Sequence, residues 1–341
     1  MAQPAAQAGP APNPERIFNT FNAYQQTAAL KGAIELDLFT AIGEGNDNPE
    51  TIAKRCQASV RGVRILCDFL VVHGLLEKQD GRYRLTRDTA VFLDRRSPAY
   101  IGSAVRFINA PEHIDSFRDV AALVRKGGTL REDSAVEPEH PMWVEFARSM
   151  APLTGRSAES IADLIDAKSA PAWKVLDIAS SHGLYGISIA KRNPKAQIVA
   201  VDWANVLAFG KENARQAGVD DRYRMLPGSA FDVEFGSDYD VVLITNFLHH
   251  FDAATCRQFL GKVHRALKTG GRAVTVEFVP NEDRVSPPAA AAFSMMMLGV
   301  TPAGDAYTFS ELEQMFQAAG FKRNELIPLP LMPQHAVISY K

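Results

Sequence analysis

The stretch from Lys174 to Asp202 constrains the fold more than any other part of the chain, because it joins two apolar runs through a turn of small residues. An apolar run from Val175 to Ile178 is followed by small residues from Ala179 to Gly183, and helical apolar periodicity resumes from Leu184 to Ala190. A second apolar run covers Ile198 to Val201. This order predicts a strand, a tight turn, a helix and a second strand.

The turn and the end of the second strand carry residues that suit a nucleotide-like ligand. Gly183, Gly186 and the small residues at 179–181 let a ligand come close to the backbone at a helix N-terminus. Asp202, at the carboxyl end of the second strand, can accept hydrogen bonds from a ribose diol. The three-glycine dinucleotide fingerprint is incomplete, so an ordinary strand-to-helix turn stays open as an alternative.

The regular alternation of strands and helices after Lys174 predicts a doubly wound parallel sheet. Its strands are expected at Val175–Ile178, Ile198–Val201, Tyr223–Leu226, Val241–Thr245 and Arg272–Glu277. The intervening helices are expected around Tyr185–Arg192, Val206–Ala217 and Ala253–Leu267, with Gly270 and Gly271 ending the last one. A further helix is predicted at Ser310–Ala319, and the segment from Leu326 to Tyr340 should supply the final strands.

The segment from Thr245 to Asp252, TNFLHHFD, directly follows the fourth of these strands. Ligands of open parallel sheets bind beyond the carboxyl ends of the strands, so His249 and His250 share a rim with Asp202. Glu277 ends the next strand on the same rim. A carboxylate that accepts a hydrogen bond from one ring nitrogen of a histidine leaves the other nitrogen free to accept a proton. His249 is therefore a candidate general base, with Glu277 as the carboxylate that orients its ring.

The N-terminal third predicts a helical domain that ends in a hairpin. Two short helices, Pro49–Cys56 and Ser59–Gly74, precede two short strands around Asp80-Gly81, which is the order of a winged helix. The second helix carries only Arg61 and Arg64 as strong cations and is otherwise apolar. This composition favours packing against another chain over binding to phosphates, so we expect a homodimer and no nucleic-acid partner.

The amino-acid composition argues against several classes of protein. The chain has 341 residues, a formal net charge of -2 and 46% hydrophobic residues, values typical of a globular protein and not of a general polyanion binder. Its three cysteines do not form a C-x-x-C pair, so neither a disulfide framework nor a metal site is predicted. No apolar run is long enough for a membrane span, and a cytoplasmic protein without membrane contact is expected.

Four segments follow from these patterns. Residues 1–14 are predicted to be a disordered tail, residues 15–100 a winged-helix dimerisation domain, and residues 169–341 a cofactor-binding domain. Between the last two, residues 101–168 should form several helices, broken by Pro111, Gly127-Gly128, Pro138, Pro141 and Pro152, that contribute to a substrate pocket.

Several motifs in order resemble one family, the S-adenosylmethionine-dependent O-methyltransferases with an N-terminal winged-helix dimerisation domain. The resemblance covers nearly the whole chain from about Ile17. It is carried by AALKGAIELDLFTAI, ILCDFLVVHGLLEKQDGRYRLT, VLDIASSHG, FLHHFD, LKTGGRAVTVEFVPNED and FSELEQMFQAAGF. It implies a class I methyltransferase sheet and transfer of a methyl group from S-adenosyl-L-methionine to a hydroxyl of a small, aromatic or apolar molecule, leaving S-adenosyl-L-homocysteine.

The resemblance also implies roles for individual positions. His249 would be the general base and Glu277 its supporting carboxylate. The positions that it assigns to the cofactor are Asp177, Ala179, Ser180, Ser181, Gly183, Asp202, Trp203, Gly228, Ser229, Ala230, Phe231, Thr245 and Asn246. The positions that it assigns to the acceptor pocket are Phe146, Met150, His250, Phe293, Met297 and Thr301.

Because the sequence departs from the family pattern at several positions, the resemblance does not identify the molecule that accepts the methyl group. Residues 179–181 stand where the family typically has glycines, Ser229 where an Asp is usual, and His250 where plant members have Asp. Ala306 stands where phenolic enzymes have a second carboxylate. Methyl transfer to carbon, sulfur or nitrogen of a small acceptor such as a ketoacid or thiol, with or without a histidine-held metal, is therefore an alternative, as is a non-catalytic regulator that senses the cofactor.

Overall fold

The computed structural model describes residues 12–131, 139–330 and 332–341, and the chain separates into two compact units, Met1–Val105 and Arg106–Lys341. The tail predicted at residues 1–14 lies almost entirely outside the described residues, and so does Pro138. None of the helices in the described part of the chain is long and apolar enough to cross a membrane.

The first unit is a small helical domain with one hairpin. Its helices are α1 (Glu15–Phe21), α2 (Ala23–Glu35), α3 (Leu38–Gly43), α4 (Pro49–Cys56), α5 (Val60–Val72) and α6 (Arg87–Phe92), and its strands are β1 (Leu76–Gln79) and β2 (Arg82–Leu85). The side chains of Asn48 and Ser59 cap α4 and α5. Asp80 and Gly81 both have positive φ angles, 49° and 78°, as a two-residue hairpin turn requires. The predicted order of helix, helix and hairpin is confirmed.

Short helices and one long helix connect this unit to the sheet. They are α7 (Val105–Ile108), α8 (Pro111–Asp115), α9 (Val120–Lys126) and α10 (Pro141–Leu164). Pro111 and Pro141 each occupy the first turn of a helix, and Gly127 ends α9 with φ 81°. The predicted break at Pro152 is wrong, since α10 continues through it. Ala147, before the proline, and Ala158 and Ile161, after it, are buried on one face of α10. Tertiary packing therefore stabilises the helix on both sides of Pro152.

The second unit is built on one seven-stranded sheet. Its strands are β3 (Lys174–Ile178), β4 (Gln197–Asp202), β5 (Tyr223–Pro227), β6 (Tyr239–Thr245), β7 (Leu267–Glu277), β8 (Arg323–Pro328) and β9 (His335–Tyr340). Their order is β5-β4-β3-β6-β7-β9-β8; β3 to β7 are parallel, and β9 is antiparallel to both β7 and β8. The predicted doubly wound sheet is confirmed, with a mixed edge at its C-terminal side.

Helices on both faces complete the unit. They are α11 (Leu184–Arg192), α12 (Ala204–Gln216), α13 (Ala253–Ala266), α14 (Pro288–Val300) and α15 (Phe309–Ala318). Alternate strand residues supply two apolar cores, one under α10, α11 and α12 and the other under α13 and α15. Thr308 and Glu311 form a capping box at the start of α15.

The predicted role of Gly270 and Gly271 as a helix stop is wrong. Helix α13 already ends at Ala266, and both glycines lie inside β7. A β-carbon at Gly271 would lie 2.9 Å from the carbonyl oxygen of Tyr239 on the neighbouring strand, so this glycine allows close approach of the two backbones.

Candidate active site

One cavity of about 1400 Å³ opens beyond the carboxyl ends of the parallel strands in the second unit. The loops after β3, β4, β5 and β6 form one side of it, and residues of α10 and α14 form another. Pockets for one small ligand usually measure about 300 to 1000 Å³. The cavity is therefore large enough for two ligands side by side.

The loop after β3 has the backbone conformation of a glycine-rich loop without all of its glycines. Ala179 and Ser181 have φ angles of 49° and 52°, and Gly183 has 73°. The left-handed region costs a residue with a β-carbon about 1 to 2 kcal/mol. A side chain at Gly183 would also meet the Tyr223 hydroxyl at 2.6 Å. The loop keeps the shape that a close ligand requires and bears some strain at its two non-glycine positions.

Asp202 holds this loop in place and faces the cavity. Its carboxylate accepts a hydrogen bond from the Ser181 backbone N–H at 2.8 Å and another from the Trp203 N–H at 2.7 Å. Burial raises the pKa of this carboxyl to about 6, while the two N–H groups act in the opposite direction. Each oxygen still has a lone pair free to accept a hydroxyl group of a ligand.

Other polar groups near the loop fit a polar ligand. The hydroxyls of Ser180 and Ser181 are buried and have no hydrogen-bond partner among the described residues, although both residues line the cavity. Buried hydroxyls without partners are uncommon. Two unpaired hydroxyls in residues that line the cavity fit a ligand with polar groups, such as S-adenosylmethionine.

Asp177, also assigned to the cofactor, lies behind the loop and does not line the cavity. It is fully buried, and its Oδ2 accepts the Gly186 N–H at 3.0 Å in the first turn of α11. Burial raises the pKa of this carboxyl to about 8. In the structure Asp177 therefore contacts the helix that follows the loop, and Gly183 likewise lies outside the cavity lining.

The segment after β5 forms the next part of the rim. Residues 228–231, GSAF, all line the cavity, and Gly228 has φ 130°. Lys262 of α13 donates hydrogen bonds to the carbonyl oxygens of Ala230 at 3.1 Å and Phe231 at 2.8 Å. This lysine was not singled out from the sequence, and it fixes the segment from behind. Trp203, Thr245 and Asn246 also line the cavity.

His249 and Glu277 meet as predicted. His249 lies in a short 3₁₀ turn after β6, and its Nδ1 is 2.5 Å from Oε2 of Glu277 at the end of β7. The other oxygen, Oε1, accepts the backbone N–H groups of Phe247 at 2.9 Å and Leu248 at 2.8 Å. The carboxylate is thus held on both oxygens, and it fixes the orientation of the imidazole ring that lines the cavity.

His250 lies directly beside this pair. Its ring centroid is 4.2 Å from that of His249, and its Nδ1 is 3.2 Å from the Phe247 carbonyl oxygen. Burial, and secondarily the neighbouring His249, lowers the pKa of His250 to about 3. The ring is therefore neutral at physiological pH, and it lines the cavity.

Most residues assigned to the acceptor meet on the apolar side of the cavity. Phe146 and Met150 of α10 and Phe293 and Met297 of α14 all line it. Thr301 does not line it, because its hydroxyl is bonded to the Met297 carbonyl at 2.7 Å and accepts the Gly304 N–H at 2.8 Å.

Gly304 lies in the turn that follows α14, close to the backbone of His249 and His250. A β-carbon at this position would overlap the backbone carbonyl oxygen of His249. Only glycine therefore fits here without moving either the turn or His249.

Several cavity residues were missed by the sequence reasoning. Trp143 lies three residues before Phe146 on the same helix, a helical spacing that could have revealed it. His182 lies within the loop after β3, and burial lowers its pKa to about 4. Gln334, which donates to the Asn246 side chain at 3.0 Å, belongs to a C-terminal segment without any sequence signal.

The described residues contain no group of three or more His, Cys, Asp or Glu side chains arranged to hold a metal ion.

Comparison with known proteins agrees with this geometry. Residues 143–322 match the O-methyltransferase domain, and residues 18–95 match the O-methyltransferase dimerisation domain. A solved structure from Nostoc punctiforme, provisionally described as an O-methyltransferase, has 50% identity and a TM-score of 0.93, and the match covers 97% of this chain and 100% of that one. Human N-acetylserotonin methyltransferase in complex with SAM has 20% identity and a TM-score of 0.83, with 98% and 99% covered.

Among characterised relatives, the 3-hydroxy-5-methyl-1-naphthoate 3-O-methyltransferase of Streptomyces sahachiroi is 29% identical over 312 residues, which is 86% of each chain. The methyltransferase domain model alone covers more than half of the present chain. This chain belongs to the O-methyltransferase family and is an S-adenosylmethionine-dependent enzyme.

Proposed function

We propose that this enzyme methylates a hydroxyl group of a small aromatic or apolar molecule, with His249 as the general base and Glu277 as its positioning carboxylate. The observation that carries the proposal is the 2.5 Å contact between His249 Nδ1 and Glu277 in the wall of the cavity. Since Nδ1–H donates to the carboxylate, Nε2 of His249 is the nitrogen that can accept a proton.

In the proposed mechanism, His249 accepts the proton of the acceptor hydroxyl group. When bound, the cofactor would supply an electrophilic sulfonium methyl group, and the loop after β3, Asp202 and residues 228–231, which line the cavity, would hold the cofactor. Nε2 of His249 would take the proton of the acceptor hydroxyl group as its oxygen gains the methyl group, and the cofactor would leave as S-adenosylhomocysteine when its S–CH3 bond breaks. The resulting imidazolium is paired with the Glu277 carboxylate, so the buried pair becomes neutral overall. The Phe247 and Leu248 N–H groups keep that carboxylate in place.

A transfer assay with methyl-labelled cofactor tests this function. We expect label to reach phenols, because an aromatic hydroxyl fits both the apolar wall and the base. Ketoacids, thiols and amines are the comparison acceptors. Transfer to carbon or sulfur, with none to phenolic oxygen, would contradict the proposal.

We further propose that the chain forms a homodimer through its N-terminal helices. Large apolar side chains on α1 and at the start of α2 are exposed: Ile17, Phe18, Phe21 and Tyr24. The rings of Phe18 and Phe21 contact each other edge to face, and several large apolar side chains exposed on neighbouring turns are typical of protein interfaces. The match of residues 18–95 to a dimerisation domain supports the proposal.

Replacing Phe18 and Phe21 together by serine is expected to shift the protein from dimer to monomer in sedimentation velocity experiments at micromolar concentration. In the proposed dimer these exposed rings would be buried against the partner chain, so the double replacement would remove several kcal/mol of stabilisation from the interface. Val124→Ser, an exposed apolar position on α9 in the other unit, is the matched control and should stay dimeric. A monomeric wild-type protein, or a dimeric double variant, would contradict the proposal.

A further inference from the structure

Histidines are concentrated in the cavity. Of the eight in the chain, five line it: His113, His140, His182, His249 and His250. The proposed mechanism uses only His249. His250 is the nearest to it, with the two rings 4.2 Å apart and inclined by 37°.

The hydrogen bonds of His250 define its tautomer. Its Nδ1 lies 3.2 Å from the Phe247 carbonyl oxygen, which can only accept a hydrogen bond, so Nδ1 carries the hydrogen. The low pKa that burial gives this ring keeps it neutral. Nε2 is therefore a pure acceptor, and no described residue donates to it.

His249 has the same tautomer for a different reason, because its Nδ1–H is directed to Glu277. Two imidazole rings thus stand next to each other in the cavity wall, and each offers Nε2 as an acceptor. One of these is the proposed base. The other has no role in the proposed proton transfer, and none of the residues that the structure describes donates a hydrogen bond to it.

Aromatic rings enclose the two imidazoles. Trp143 contacts His250 edge to face at a centroid distance of 5.8 Å, and Phe293 contacts His249 in the same manner at 4.9 Å. Phe278 stacks on Phe293 at 3.9 Å. Flat rings around two adjacent acceptors suit a planar aromatic ligand whose polar groups lie on one edge.

We propose that Nε2 of His250 accepts a hydrogen bond from a second O–H or N–H group of the acceptor substrate, adjacent to the hydroxyl that is methylated. The enzyme would then select aromatic molecules with two neighbouring donors, such as ortho-diols. The proposal rests on the proposed function, since it takes His249 as the partner of the reacting hydroxyl. A substrate without the second donor would leave the buried acceptor unpaired, which lowers its affinity.

Binding to the enzyme loaded with S-adenosylhomocysteine tests the inference without turnover. We expect calorimetry to give 2,3-dihydroxynaphthalene a Kd about 10- to 100-fold lower than that of 2-naphthol. In His250→Phe, which keeps a ring against Trp143 but has no acceptor, the ratio should fall to within about threefold. His250→Leu provides a second variant without an acceptor, should the phenylalanine variant not fold.

The control is His264→Phe, a histidine on α13 outside the cavity lining, which should keep the wild-type ratio. A wild-type ratio within threefold, failure of both naphthols to bind, or a preference that persists in the folded variants would overturn the inference. Methyl transfer from labelled cofactor is measured separately. Diol-selective binding without transfer to any phenol would contradict the proposed function and not the role of His250 in binding.

Discussion

The His249→Ala variant is expected to lose about 10²- to 10⁴-fold in kcat, the usual contribution of a positioned general base. The residual rate should come from alignment of the hydroxyl with the methyl group, which needs no base. Affinity for S-adenosylhomocysteine should stay within about threefold of wild type, because the loop after β3 and Asp202, not His249, are proposed to bind the cofactor. Steady-state kinetics with a phenolic acceptor and calorimetry with the cofactor product measure the two effects separately.

The control for this prediction is His264→Ala. His264 packs against Phe321 and lies outside the cavity lining, so its removal should leave kcat near the wild-type value. A fall of less than tenfold in His249→Ala would mean that alignment alone drives the reaction. An equal loss of rate and of cofactor affinity would instead identify His249 as a structural residue.

Replacing Asp202 by alanine is expected to raise the Kd for S-adenosylmethionine by about 100-fold or more. The carboxylate is the proposed acceptor for the ribose hydroxyls, and hydrogen bonds to a charged group contribute about 1.5 to 3 kcal/mol each. The change also leaves the Ser181 and Trp203 N–H groups without their acceptor, which should loosen the loop. Equilibrium dialysis with labelled cofactor measures the effect, and retention of wild-type affinity would contradict the assignment.

The pH dependence of binding gives an independent check on Asp202. Burial raises its pKa from the ordinary value of 3.8 to about 6, so the carboxyl is charged above pH 6 and protonated below it. The charged form accepts more hydrogen bonds, and cofactor affinity should therefore fall as the pH is lowered through about 6. Asp202→Asn cannot titrate and should bind weakly, with an affinity that changes little between pH 5 and 7.5. A wild-type profile as flat as that of the asparagine variant would argue against this role.

The sheet could be predicted well from the sequence because its inner strands, such as β3, β4 and β6, are buried on both faces and read as short apolar runs. The errors arose where a local signal was overridden by tertiary contacts. Gly270 and Gly271 were interpreted as a helix stop, but they accommodate the neighbouring strand at Tyr239. Pro152 was interpreted as a helix break, but packing on both sides carries α10 through it.

The candidate site could be located from the sequence, since strand ends share one rim, but its details could not be predicted. The contact of His249 with Glu277 follows from the order of β6 and β7. The left-handed backbone at Ala179 and Ser181 has no signal in those residue types, because alanine and serine normally avoid it. Trp143 and Gln334 line the cavity because α10 and the C-terminal segment pass beside it. The position of these two segments depends on tertiary packing, which the local sequence does not reveal.

The close approach of Gly304 to the backbone of His249 has a consequence for how this enzyme can diversify. Side chains on α14, such as Phe293 and Met297, line the cavity and can change in size without displacing the backbone of His249, the proposed base. The turn beyond that helix has no such freedom, because a single methyl group added at Gly304 would collide with the backbone of His249. New acceptor preferences should thus arise through exchanges along the helix, whereas insertions or larger residues in the turn should abolish turnover for every acceptor alike.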